Sequence, residues 1–226
     1  MSPAGSAPAP ADGERTVVPL GPETWELFAE LVERNNGVYG GCWCIGYHPE
    51  CGQVLRRDRL AHGAPRGCIG YHPECGQVPR SVHQEVKRAR VMDDAAHAAL
   101  VVDADGLCQA WAQYGPPDEL AGIKHKREYL KEAPPTPDWR LTCVYVDPRH
   151  RGQGLAREAI TGALGLIAAA GGGSVEAISE TTDGRTAQGR FLFTATAELL
   201  EDLGFERVRQ VSKHAWILTR EVAPAS

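Results

Sequence analysis

Apolar residues recur along this chain with two periods, and the alternation between them lays out its elements. RTVVPL, Arg15–Leu20, alternates weakly and is rich in β-formers, which predicts a first strand. Trp25, Leu27, Phe28, Leu31 and Val32 fall at helical spacing in ETWELFAELVERNN and predict a helix that breaks at Gly37–Gly41. From Pro49 to Pro79 the residues follow no period, so a loop is expected. SVHQEVKRARVMDD reads as a helix with Ser81 as its N-cap. AHAALVVD and LCQAWAQYG, joined by Ala104-Asp105-Gly106, read as a β-hairpin. DELAGIKHKREYLKE, set between prolines, predicts a polar helix. WRLTCVYVD then predicts a strand, RGQGLAREAITGALGLIAAAG a helix closed by glycines, and GSVEAISE a strand. RFLFTATAELLEDLGF predicts a helix ending at Gly204, and ERVRQVSK and HAWILTRE a final strand pair. This order predicts an α/β chain on a mixed sheet, with a β-α-β unit around Gly152 at its middle. Trp111, Trp216, Cys108 and Cys143 are expected in the core.

Composition narrows the partners. The 226 residues suit one domain, expected over 15–222, behind a disordered Ala/Pro tail over 1–14. That tail has neither the basic start nor the apolar stretch of a secretion signal. A formal net charge of -5 argues against nucleic acid as a partner. No apolar run is long enough to span a bilayer, so no membrane is expected and the cytoplasm is the expected compartment. In a reducing compartment the seven cysteines call for metal, chemistry or packing rather than disulfides.

The informative stretch is VYVDPRHRGQGLAREAI, Val144–Ile160. A strand ends at Asp147-Pro148, and Arg149-x-x-Gly152-x-Gly154 turns at once into a helix. Unpaired amides and the positive dipole end make such a turn an anion cradle, glycines let a pyrophosphate approach, and Arg149 and Arg151 can add charged hydrogen bonds. A Walker A loop is excluded because Gly-Lys-Ser/Thr is missing. A dinucleotide fingerprint is excluded because Arg157 stands where its third glycine belongs.

Arg-x-x-Gly-x-Gly between these two elements resembles motif A of the GNAT superfamily of acyl-CoA-dependent N-acyltransferases, and ELLEDLGFERV resembles that family's fourth helix and following strand. The chain is also similar to a subgroup with a Gly-Gly-Cys-Trp-Cys segment, here Gly40–Cys44. The resemblance implies a mixed sheet with splayed central strands, an N-acetyltransferase using acetyl-CoA as co-substrate, and an amine acceptor. It implies that the pantetheine arm pairs with Val144, Tyr145 and Val146. The pyrophosphate then sits on the turn of Arg149, Arg151, Gly152, Gln153, Gly154, Leu155 and Ala156. Amine attack on the thioester needs a base, and Glu176 and Glu180, on one face of GSVEAISE, and Asp138 are the candidates. Many members carry a tyrosine as thiolate acid where this chain has Leu200; Thr194 and Thr196 are the nearby hydroxyls. A binding module without catalysis is the alternative this substitution feeds. The late strands offer an edge through which a homodimer could form.

CIGYHPECGQV occurs twice, at Cys44–Val54 and Cys68–Val78, an offset of 24 residues. Two copies without a period do not make a solenoid. Cys42, Cys44, His48 and Cys51 could hold zinc, although C-x-C-x3-H-x2-C is not a common structural spacing and no metal is assigned. The plainer expectation is an acceptor-pocket wall, with Trp43, Tyr47 and His48 as substrate-binding residues. One copy is expected to be native-like and the other a surface excursion. The basic run Lys124–Arg127 is expected to be a solvated face, with contact to the acceptor or to the 3′-phosphate of CoA as the alternative.

Overall fold

The computed structural model describes residues 15–38, 41–50, 80–182 and 193–225. Its sheet has seven strands: β1 (Thr16–Pro19), β2 (His97–Val102), β3 (Cys108–Gly115), β4 (Trp139–Val146), β5 (Gly173–Glu180), β6 (Glu206–Gln210) and β7 (Ala215–Val222). Their spatial order is β1-β2-β3-β4-β5-β7-β6, and every neighbouring pair is antiparallel except β4 with β5. The helices are α1 (Trp25–Arg34), α2 (Arg80–Met92), α3 (Lys126–Tyr129), α4 (Leu155–Ala169) and α5 (Ala197–Asp202). Among the described residues no helix is long and apolar enough to cross a membrane.

Strand alternation sends side chains to two cores. Leu100, Trp111, Cys143 and Tyr145 meet Trp25, Phe28, Leu31 and Val32 of α1 on one face. Ala99, Ala110, Ala112 and Ala177 meet Leu155, Ala159, Ile160 and Ile167 of α4 on the other. The small residues under α4 let that helix lie close to the strands, as a crossover joining parallel β4 and β5 must.

Trp43 and the start of the first repeat copy belong to the α1-side core, and residues 51–54 of that copy lie outside the described residues. Trp43, Cys44, Ile45 and Tyr47 are buried, and Trp43 stacks on Trp25 at 5.9 Å. The second copy lies outside the described residues. His48 is sealed between elements: its Nδ1 bonds the Glu119 carbonyl at 3.1 Å, and its Nε2 accepts from Gln113 Nε2 at 2.8 Å. Nδ1 therefore carries the proton. Buried Lys87 stands 3.1 Å from the same Nε2, and its Nζ also lies 5.7 Å from the Phe28 ring centroid.

Three elements differ from the sequence reading. The polar helix shrinks to α3, because the preceding residues are spent on tertiary bonds. Gly122 donates its amide to the Tyr47 carbonyl at 2.8 Å, Leu120 gives its carbonyl to Arg140, and His125 has φ 54°. Residues 193–196 are not helical; α5 starts at Ala197, with Thr196 as an extended N-cap whose hydroxyl accepts from the Leu199 amide. Helix α2 begins at Arg80, which places Ser81 inside it. Trp111 is fully buried, as are Cys108 and Cys143, whereas Trp216 is half-buried under the Arg207 guanidinium.

Two predictions follow from this packing. Ile45 is 0% exposed, so Ile45→Ala should cost about 2–4 kcal/mol in urea unfolding. Burial, with Lys87 and Arg90 nearby, pushes the His48 pKa down to about 2. The folded state thus binds fewer protons than the unfolded chain, and stability falls as pH drops below about 6.5. Between pH 6.5 and 5 the loss from His48 should reach about 2 kcal/mol, and His48→Gln should flatten the pH dependence of the urea midpoint.

Candidate functional site

Strands β4 and β5 stay paired over only three positions, Trp139↔Val175, Arg140↔Glu176 and Leu141↔Ala177. At that point the β3–β4 register shifts between Ala112 and Tyr114, a bulge that bends β4 away. Beyond Leu141 the strands diverge around a cleft lined by Tyr47, Gly122, Ile123, Lys124, Arg140, Leu141, Thr142, Glu176, Ile178 and Thr194.

Charge in the cleft comes as ion pairs. Glu176 Oε2 accepts from the Tyr129 hydroxyl at 2.9 Å, and its Oε1 faces Arg140 Nε at 3.4 Å. Burial pushes the Glu176 carboxyl above its ordinary range, against the opposing pull of Tyr129 and Arg140. Lys124 Nζ, itself buried, meets Glu180 Oε1 at 2.9 Å and lies 5.2 Å from the Phe193 ring centroid. Thr142 donates to Gln113 Oε1 at 3.2 Å, which ties the cleft wall to the His48 network.

The far end of β4 builds the glycine turn. Asp147 is fully buried and caps the short Pro148–His150 turn by accepting the Arg149 amide at 3.0 Å. Its oxygens also hold Arg149 Nε at 3.0 Å, Arg149 Nη2 at 2.9 Å and Arg34 Nε at 2.9 Å. These bonds outweigh burial and hold its carboxyl well below the usual range. Gly152 and Gly154 follow with φ 78° and 80°, and a Cβ at either would point into open space. Both conformations favour glycine, and α4 starts at Leu155 with its first amides facing outward.

The candidates named from sequence are thus distributed unevenly. Glu176 and Tyr47 line the cleft, and Glu180 stands behind Lys124. Asp138 lies exposed at the opposite end of β4, where its Oδ2 accepts from the Ser174 amide at 2.8 Å and hydroxyl at 2.9 Å. The structure does not bring it to the cleft. Trp43 and His48 are also absent from the lining; packing and the Gln113 bond account for them. Arg149 is occupied by Asp147, while Arg151 is exposed on the turn.

Asp147 donates its amide to the Gln109 carbonyl, so by antiparallel alternation Val144 and Val146 turn their polar backbone toward β5 and Tyr145 turns its own toward β3. The Val144 amide already donates to the Phe193 carbonyl at 2.8 Å. The Tyr145 ring stacks on Trp111 at 4.7 Å.

Lys124, for which contact with the acceptor is the lesser sequence expectation, and Thr194, expected as a hydroxyl donor on a helix, both line the cleft. Lys124 was hidden in a run of four basic residues, and only the neighbouring Ile123 hinted at an inward face. Thr194 was absorbed into an overlong helix, although the β-branched run before AELLED and the capping position of Thr196 mark an extended entry.

An anion such as a pyrophosphate fits this turn: open space stands beside both glycines, free helix-start amides face it, and Arg151 supplies charge. Changing Gly152 and Gly154 together to valine should weaken pyrophosphate binding at least about tenfold in calorimetric titration while leaving the unfolding transition cooperative. Retained affinity would place the anion elsewhere.

Comparison with known proteins places this geometry. The model of the acetyltransferase (GNAT) family matches residues 68–205. A candidate acetyltransferase from Acinetobacter baylyi ADP1 has a similar structure at 11% identity and a TM-score of 0.50, over 93% of this chain and 96% of that one. The ribosomal-protein-S18-alanine N-acetyltransferase of Escherichia coli aligns at 12% identity and a TM-score of 0.44, over 94% and 97%. An Escherichia coli GNAT-family N-acetyltransferase in complex with CoA aligns at 13% identity and a TM-score of 0.44, over 97% and 86%. A comparison with curated proteins finds no match. With more than half of its length matched by the family model and a splayed mixed sheet behind the glycine turn, this chain belongs to the GNAT acetyltransferase family.

Proposed function

We propose that the protein is an N-acetyltransferase that moves an acetyl group from acetyl-CoA to an amine. The observation that carries this reading is continuity: one strand, β4, borders the cleft at Thr142 and ends in the anion-binding turn at Gly152–Gly154. When bound, acetyl-CoA would supply an activated acyl carbonyl. The backbone of Arg151–Ala156 is assigned to its pyrophosphate, and the β4 edge at Val146 to its arm, with Val144 available once Phe193 yields its bond. Arg149 serves through Asp147, fixing the turn rather than reaching for the phosphate.

Of the three carboxylates named from sequence, Glu176 is the one we assign as base. It lines the cleft, and burial raises its pKa, which makes it a stronger base than an ordinary glutamate. Its oxygens each keep a lone pair beyond the bonds to Tyr129 and Arg140, so an ammonium or a bridging water can still dock. Glu180 anchors Lys124, and Asp138 clips the start of β4 to β5. A binding-only reading draws on Leu200, which is buried in the α4-side core where many family members carry a tyrosine.

Glu176→Gln decides between them. It should lower kcat/KM by about 100-fold with acetyl-CoA affinity unchanged. In the wild type kcat/KM should rise with pH through an apparent pKa above the usual glutamate range, because the base must lose its proton; the variant should lack that limb. Amine turnover that is unchanged by the substitution would remove Glu176 from the chemistry, and no turnover at all beside intact acetyl-CoA binding would favour the binding module.

A further inference from the structure

The cleft wall holds a buried hydroxyl that the described residues do not satisfy. Thr194 is 4% exposed, lines the cleft, and among the described residues its Oγ1 has no hydrogen-bond partner. Native proteins leave few buried hydroxyls unpaired, and a polar ligand is one reason for such an exception. Its position is fixed on both sides: the preceding Phe193 carbonyl accepts the Val144 amide, and its own carbonyl accepts the Ser179 hydroxyl at 3.3 Å.

Beside it stands a cation suited to the same ligand. Lys124 lines the cleft and packs near the Phe193 ring, one residue from Thr194. Its ammonium has three donors, and Glu180, which holds it at 2.9 Å, does not itself line the cleft. Arg140 is less suited, because its guanidinium is spent on Glu176 and on the Leu120 carbonyl at 2.9 Å. The cleft wall thus presents an ammonium with a neighbouring hydroxyl donor, and a separate carboxylate, Glu176. Ile123, Leu141 and Ile178 supply an apolar wall.

We infer that the acceptor is a small free amino acid, its carboxylate held by Lys124 and Thr194 and its amine directed to Glu176, with an apolar side chain against Ile123 and Ile178. This rests on the acyl-transfer reading above. The anion satisfies Thr194, and the cation meets the one carboxylate that lines the cleft. A bare alkylamine would bring no anion to Lys124. A polyamine would bring further positive charge against Lys124 and Arg140.

The test uses the full chain and measures thiol release from acetyl-CoA with L-leucine, L-leucinamide and isopentylamine, which share a side chain. The amide stands in for a peptide N-terminus. The free amino acid should show a kcat/KM at least about tenfold above the other two. Thr194→Val, close in shape, should raise KM for leucine by about tenfold with little change for isopentylamine. Lys124→Met should erase the preference among the three, with acetyl-CoA affinity retained. Equal or better turnover of the amide or the amine overturns the proposal, as does an absence of leucine turnover beside intact acetyl-CoA binding. If acetyl-CoA fails to bind, the transfer reading fails. Calorimetric titration of leucine alone then decides the pocket: heat lost in both variants supports the assignment, and no heat from the wild type overturns it.

Discussion

Everything that distinguishes this sheet follows from one constraint: β4 and β5 can share only three residue pairs. Up to Leu141 the two strands form an ordinary parallel ladder. The bulge opposite Gln113 then adds backbone to β4 and bends it, so the ladder cannot continue. A parallel pair elsewhere would bury its edges; here the divergence leaves room for side chains, a ligand and a short returning segment of the chain. The crossover helix α4 must still join the two strands, and it starts at the glycine turn because β4 has already swung out to meet it.

Burying charge beside such an opening is costly, and this protein meets the cost by pairing. Glu176 faces Arg140 across the last ladder positions, Lys124 reaches Glu180, and Asp147 gathers Arg34 and Arg149. Removing one member of such a pair leaves an uncompensated charge and typically costs about 3–5 kcal/mol. Lys87 is the contrast. It is buried against His48 and the Phe28 ring, among the described residues no carboxylate forms an ion pair with it, and burial pulls its pKa down. Strand geometry and paired charge thus place polar groups in a cleft where water would otherwise compete for them.

How much of this was legible in the sequence depended on the range of the forces involved. The glycine turn could be read because its signals are local: a strand, two glycines needing left-handed backbone, and a helix start lie within a dozen residues. Glu176 could be read because a carboxylate in an apolar strand is conspicuous wherever it sits. Trp43 and His48 could not be placed from sequence, since an aromatic ring or an imidazole has the same composition in a core as in a pocket wall; their contacts with Trp25 and Gln113, far away in sequence, put them in the packing. DELAGIKHKREYLKE failed for a related reason. Its propensity favours a helix, but Leu120, Gly122 and Lys124 each make a long-range contact that a continuous helix would break.

The short segment over Phe193–Thr196 has a consequence of a different kind. A strand that leaves its neighbour exposes a row of bare amides and carbonyls, the surface on which a foreign strand adds and sheets aggregate. Phe193 covers the Val144 amide, and Thr196 bridges in parallel to Glu180. The opened sheet is therefore partly closed by the protein's own backbone, which guards it against unwanted self-assembly.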